Sequence, residues 1–141
     1  MNKLILVAAL AACHHETPPP ATAATNAPLT VDAQVAQGKQ LYVDHCAKCH
    51  GDAGQGSKQA PPVVGKDAFP LDPRPGQKRD TKFHTAADVF AFATKAMPPR
   101  KVGSLTTDQY LAIFAFDLTA NGIKLDHPLD AAAAQAIVLH P

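Results

Sequence analysis

The sequence of 141 residues has no tryptophan, only three cysteines, and two methionines of which one is the initiator. No run of 18 apolar residues occurs, which excludes a transmembrane helix. An excess of one charge is also missing: thirteen Lys and Arg stand against twelve Asp and Glu, a formal net of +1. A nucleic-acid binder carries a basic excess that this surface lacks, so no nucleic-acid partner is expected. Apolar residues make up 46%, enough for a core and too many for global disorder. One compact domain is the default at this length.

The first twelve residues read as a leader. Met1-Asn2-Lys3 is positive, and Leu4 to Ala12 is an unbroken apolar stretch the length of a signal-peptide core. It ends in Leu10-Ala11-Ala12-Cys13, which resembles the bacterial lipoprotein signal. The expectation is therefore a signal peptide over 1–12, acylation of Cys13, and a location on the periplasmic side of a bacterial membrane. The alternative is an ordinary secretion signal and a soluble periplasmic protein. Residues 14–30 hold four prolines among small side chains and no large apolar core. They read as an extended tether, reaching at most about 50 Å at ~3.1 Å per residue. Residues 31–141 form the globular part.

Three helices follow from caps and periodicity. The first starts after Thr30, with Asp32 in its first turn, and places Val31, Val35, Gly38 and Tyr42 on one face. A glycine in mid-helix costs roughly 1 kcal/mol against alanine, so Gly38 points to another backbone passing close by. The second starts at Thr85, buries Val89, Phe92 and Ala96, and stops at Met97 because Pro98 forces its predecessor out of the helical region. The third starts at the capping box Thr106–Gln109 and runs through Leu111, Phe114, Ala115 and Leu118 to Asn121-Gly122. Between the first two, Gly and Pro recur so densely over residues 51–75 that only loop is possible. A loop that long needs something to pack around. In the tail, Asp130 caps a short helix over Ala131–Val138, or that segment lies extended across the domain.

Cys46-Ala47-Lys48-Cys49-His50 supplies the missing object. A C-x-x-C-H run is the attachment site of c-type haem: two thiols add across the two vinyl groups, and the adjacent histidine reaches the iron. The rival readings fit worse. A thioredoxin-like dithiol wants a βαβ context, a zinc site wants further ligands, and a disulfide across two residues would be strained.

From these residues, 31–141 resembles a class I (mitochondrial-type) monohaem cytochrome c of bacteria. Gly38 and Tyr42 fall where that family has a glycine and an aromatic, and Pro61-Pro62-Val63-Val64-Gly65 resembles its P-x-L-x-G loop with Val for Leu. The resemblance implies an all-α cytochrome c fold, three main helices and long loops around one covalent haem c on Cys46 and Cys49. It implies His50 as one axial ligand, with its Nδ1–H on the Pro61 carbonyl, and Met97 as the other. Met97 is the only methionine after the initiator, 47 residues beyond His50; His84 is its one serious rival. Phe116 stands where the last helix of the family often has Tyr. The implied function is one-electron transfer, not catalysis, by a monomer serving redox proteins such as a dehydrogenase or a respiratory complex or oxidase. The alternative is a haem enzyme or gas sensor with an exchangeable sixth ligand. Residues 48–101 carry ten Lys and Arg against five Asp, so the face around the haem is expected to be basic.

Overall fold

Three threonine hydroxyls start the three main helices, each satisfying an amide that the helix itself leaves unpaired. In the computed structural model, which describes residues 29–77 and 79–140, Thr30 accepts from the Ala33 amide and opens α1, Val31–His45. A single turn, α2, spans Ala47–His50. Thr85 and Asp88 form a full capping box at the start of α3, Ala86–Ala96. Thr106 and Gln109 do the same for α4, Thr107–Ala120. Asp130 accepts from the Ala133 amide and opens α5, Ala131–Ala136. Among the described residues β-pairing is limited to one antiparallel bridge, Thr85 to Val138. No helix among them is long and apolar enough to cross a membrane.

Helix α4 is the spine. Tyr110 through Ala115 and Leu118 are all buried; Leu111, Phe114, Ala115 and Leu118 cluster with Phe69, Phe83, Val89 and Leu129, while Ile113 packs with Tyr42 and Ala47. Burying each large apolar side chain contributes roughly 1.5–3 kcal/mol. Helix α1 crosses α4 at Gly38, where a Cβ would overlap the Ala112 carbonyl. This is the close backbone approach that the mid-helix glycine predicts. One turn further on, the Tyr42 ring tilts against Phe116 with centroids 5.4 Å apart.

The tail resolves into both of its expected alternatives in sequence. The helix stops at Ala136, short of Val138, and the chain then runs extended beside the start of α3: Ala86 donates to Ile137 and Leu139 donates to His84. Helix α3, the second of the three expected, also differs in its packing. Val89 is buried as expected, but Phe92 and Ala96 are only half-buried; Phe92 packs on the core edge-on to Phe83 and also lines a cavity.

Candidate functional site

The C-x-x-C-H run begins where α1 ends. The Cys46 amide donates to the Tyr42 carbonyl at 2.8 Å, closing α1, while the Cys46 carbonyl accepts from Cys49 and His50 at 3.0 Å each. That single turn sets positions i, i+3 and i+4 on one side. Cys46, Cys49 and His50 accordingly line one cavity of about 330 Å³, together with Met97. Its walls are mostly apolar and include Phe69, Phe83, Phe92, Ile113 and Phe114.

His50 has a fixed tautomer. Its Nδ1 lies 2.7 Å from the Pro61 carbonyl oxygen. A carbonyl only accepts, so Nδ1 carries the proton and Nε2 keeps its lone pair. The loop supplying that carbonyl is anchored twice. Gly54, at φ +76°, presents a carbonyl that accepts from Val63 and Val64 at 2.8 and 2.9 Å. The Asn121 side chain accepts from the Gly65 amide at 2.9 Å and donates to the Val63 and Asp117 carbonyls at 2.8 Å. Asn121 thus caps α4 and ties the loop to it.

Met97 ends α3, donating its amide to Ala93 at 2.8 Å, and its carbonyl accepts the Tyr110 hydroxyl. His84, the rival ligand, is exposed and does not line the cavity. Burial pushes the Cys46 thiol up to about 12, with Asp117 and Cys49 adding to the effect, so it is neutral at pH 7. Cys13 lies outside the described residues, as do the rest of the expected leader and most of the tether.

Two charged residues in the cavity wall escaped the sequence reading. Arg79 was submerged in the basic count of residues 48–101. Its Nη2 donates to the Pro70 and Leu71 carbonyls at 2.9 and 3.1 Å, and its Cζ sits 3.5 Å over the Phe83 ring. Its Nε and Nη1 are buried without a partner, and burial lowers its affinity for protons. Free guanidinium donors facing a cavity suit a carboxylate. Asp117 is the second, on α4.

These residues fit haem c. Two thiols suit its vinyl groups, an imidazole with a free Nε2 suits its iron, the aromatic walls suit its ring, and Arg79 suits a propionate. Zinc finds less support: among the described residues no three His, Cys, Asp or Glu side chains gather in a metal-holding cluster.

Residues 33–116 match the family model described as cytochrome c oxidase, cbb3-type, subunit III. The chain belongs to this cytochrome c family. The cytochrome is 44% identical over 77 residues to the thiosulfate dehydrogenase of Stutzerimonas stutzeri (strain A1501), a match covering 51% of this chain and 22% of that protein. Among solved structures, the sulfane dehydrogenase SoxCD from Paracoccus pantotrophus matches with a TM-score of 0.57 and 33% identity, over 74% of this chain and 52% of that one. The cytochrome therefore spans about a fifth of the first relative and half of the second. The fold is the all-α cytochrome c fold, and a domain of this family with the Cys46–His50 run holds haem c covalently. It is a module for haem-based electron transfer.

Proposed function

We propose that the cytochrome is a one-electron carrier whose iron is held by His50 and Met97, and which passes electrons between larger redox proteins at the cell envelope. The observation that carries this reading is the cavity shared by a tautomer-fixed His50 and the chain's single internal methionine. Bound haem c supplies a one-electron couple at iron, and His/Met ligation raises its potential. The protein's own contributions are separable. Pro61 holds the His50 proton on Nδ1 and makes Nε2 the more basic donor. Phe69, Phe83, Phe92 and Phe114 keep water from the cavity and so disfavour extra positive charge within it. The Tyr110 hydroxyl fixes the backbone from which Met97 projects.

With both ligands in place no coordination position is open to oxygen or substrate, which favours a carrier over an enzyme or sensor. Its electron donor is read as a dehydrogenase acting on reduced inorganic sulfur compounds, since thiosulfate and sulfane dehydrogenases are among its relatives. Its acceptor is read as a respiratory complex or oxidase. Acylated Cys13 and the 13–30 tether hold the domain, 31–141, at the periplasmic face of a membrane; a soluble periplasmic carrier is the alternative. The test is spectroscopic. Denatured protein should retain haem mass on the peptide bearing Cys46 and Cys49. The ferric form should show a sulfur-to-iron charge-transfer band that Met97→Ala abolishes without releasing haem. Survival of that band in the variant would assign the ligand to another residue, and apoprotein mass from cells competent in haem attachment would overturn the site.

A further inference from the structure

Asp117 is the one carboxylate buried among the described residues, and the fold gives it no structural task. It lies in the apolar stretch of α4 between Phe116 and Leu118, caps no helix, and forms no ion pair among the described residues. Its Oδ1 is buried without a hydrogen-bond partner, and its side chain lines the haem cavity. An apolar residue there would pack equally well and avoid the cost of burying a polar group. An acid retained against that cost, beside a centre whose charge changes by one, is placed to respond to that change.

We propose that Asp117 couples electron transfer to proton release: it holds a proton while the cytochrome is reduced and gives it to solvent on oxidation. The inference rests on the carrier reading above. The balance is simple. One electron leaves for an oxidised redox partner, the site gains one positive charge, and the carboxyl O–H bond breaks to release one proton. Reduction takes both back. Burial favours the protonated acid in the absence of an added positive charge.

The neighbouring groups do not compete for this role. Tyr42 faces Asp117 from α1, donates its hydroxyl to the Gly51 carbonyl at 2.7 Å, and is held neutral by burial. Cys46, from the end of the same helix, loses its titrating proton when it becomes a thioether. Tyr110, also on α4, donates to the Met97 carbonyl. From the loop, Arg79 is the cation of the cavity wall and stays charged across the working range; α3 offers only Val89, Phe92 and Ala93. His45 and His50 also line the cavity; His50 is fixed by Pro61, and His45 is told apart from Asp117 by the two Asp117 variants below.

The experiment is a spectroelectrochemical titration of the holo-cytochrome from about pH 5 to about pH 9 beside Asp117→Asn and Asp117→Leu. In the wild type the oxidised-to-reduced ratio at fixed potential should rise toward tenfold per pH unit over part of this range, ~59 mV for a one-electron couple. Both variants should be flat there. A flat wild type, or an equal slope in the variants, overturns the proposal and in the second case assigns the proton to a propionate or histidine. Reduced-minus-oxidised infrared spectra of the wild type give the same decision without a variant: a protonated carboxyl band lost on oxidation supports it, and an unchanged carboxyl region overturns it. Reversible one-electron reduction with an intact haem spectrum tests the carrier reading separately.

Discussion

Replacing Gly38 by alanine sets two effects of opposite sign against each other. Within α1 alone the change gains about 1 kcal/mol, the difference in helix propensity. Across the α1–α4 crossing it costs more. The new Cβ overlaps the carbonyl of Ala112 and lies 3.0 Å from the Ile113 amide nitrogen, all of it backbone that no rotamer change can move aside. Overpacking of this kind typically costs 1–3 kcal/mol, and a contact with rigid backbone belongs near or above the upper end. The net expectation is a loss of about 2 kcal/mol. For a domain of this size that lowers Tm by roughly 10 °C. Thermal and urea unfolding of the ferric holo-protein, followed by far-ultraviolet circular dichroism, measures it, with the urea m-value unchanged. The control is Gln37→Gly on the exposed side of the same helix, which should lose ~1 kcal/mol through propensity alone. Unchanged or increased stability in Gly38→Ala would refute the close crossing.

Asn121→Ala should lose about 2 kcal/mol, because it removes two hydrogen bonds between the Val63–Gly65 loop and α4 and a third, to the Asp117 carbonyl, that caps α4. The same change should broaden the His50 ring resonances by loosening the Pro61 carbonyl, whereas a purely local effect would leave them sharp. Asp117→Asn should stabilise the reduced fold at pH 7, because burial raises the Asp117 pKa and holding that acid protonated above its unfolded pKa costs free energy. The folded state then binds more protons than the unfolded one, so the wild type loses stability as pH rises above the unfolded value of ~3.9 toward the folded one. Urea midpoints that do not diverge with pH would contradict this. The exposed pair Arg100–Lys101 follows the Met97 turn, and a basic docking face predicts that reduction by an acidic partner slows with salt, less so in Arg100→Gln/Lys101→Gln. Equal salt slopes would remove those two residues from the encounter.

The parts of this structure legible in the sequence are those with local causes. Thr30, Thr85 and Thr106 each cap a helix through their own hydroxyl, and Pro98 ends α3 by sterics confined to its neighbour. Gly38 disclosed the crossing because a glycine there is costly without one. The C-x-x-C-H spacing disclosed the haem site because the chemistry requires it. What stayed hidden depends on partners distant in the chain. The four residues of α2 are too few to show a period. The end of α5 at Ala136 depends on His84 and Ala86, some fifty residues away. Phe92 has the pattern of a core residue and packs as one, yet it also lines the cofactor cavity. Asn121 read as a helix cap, while its side chain also reaches the loop near Pro61. Arg79 was one basic residue among ten. Asp117 did carry a signal, an acid inside the apolar run of α4, and only the cavity around it gave that signal a meaning.

The central claim is a carrier in which His50 and Met97 would together hold the haem iron, and carbon monoxide tests it most directly, since it binds ferrous haem readily only where the protein leaves a position open. The visible spectrum of the reduced wild-type cytochrome should be the same before and after carbon monoxide is added, while Met97→Ala, measured alongside, should shift at once. Rapid binding by the wild type would contradict the account and identify the protein as a haem enzyme or sensor.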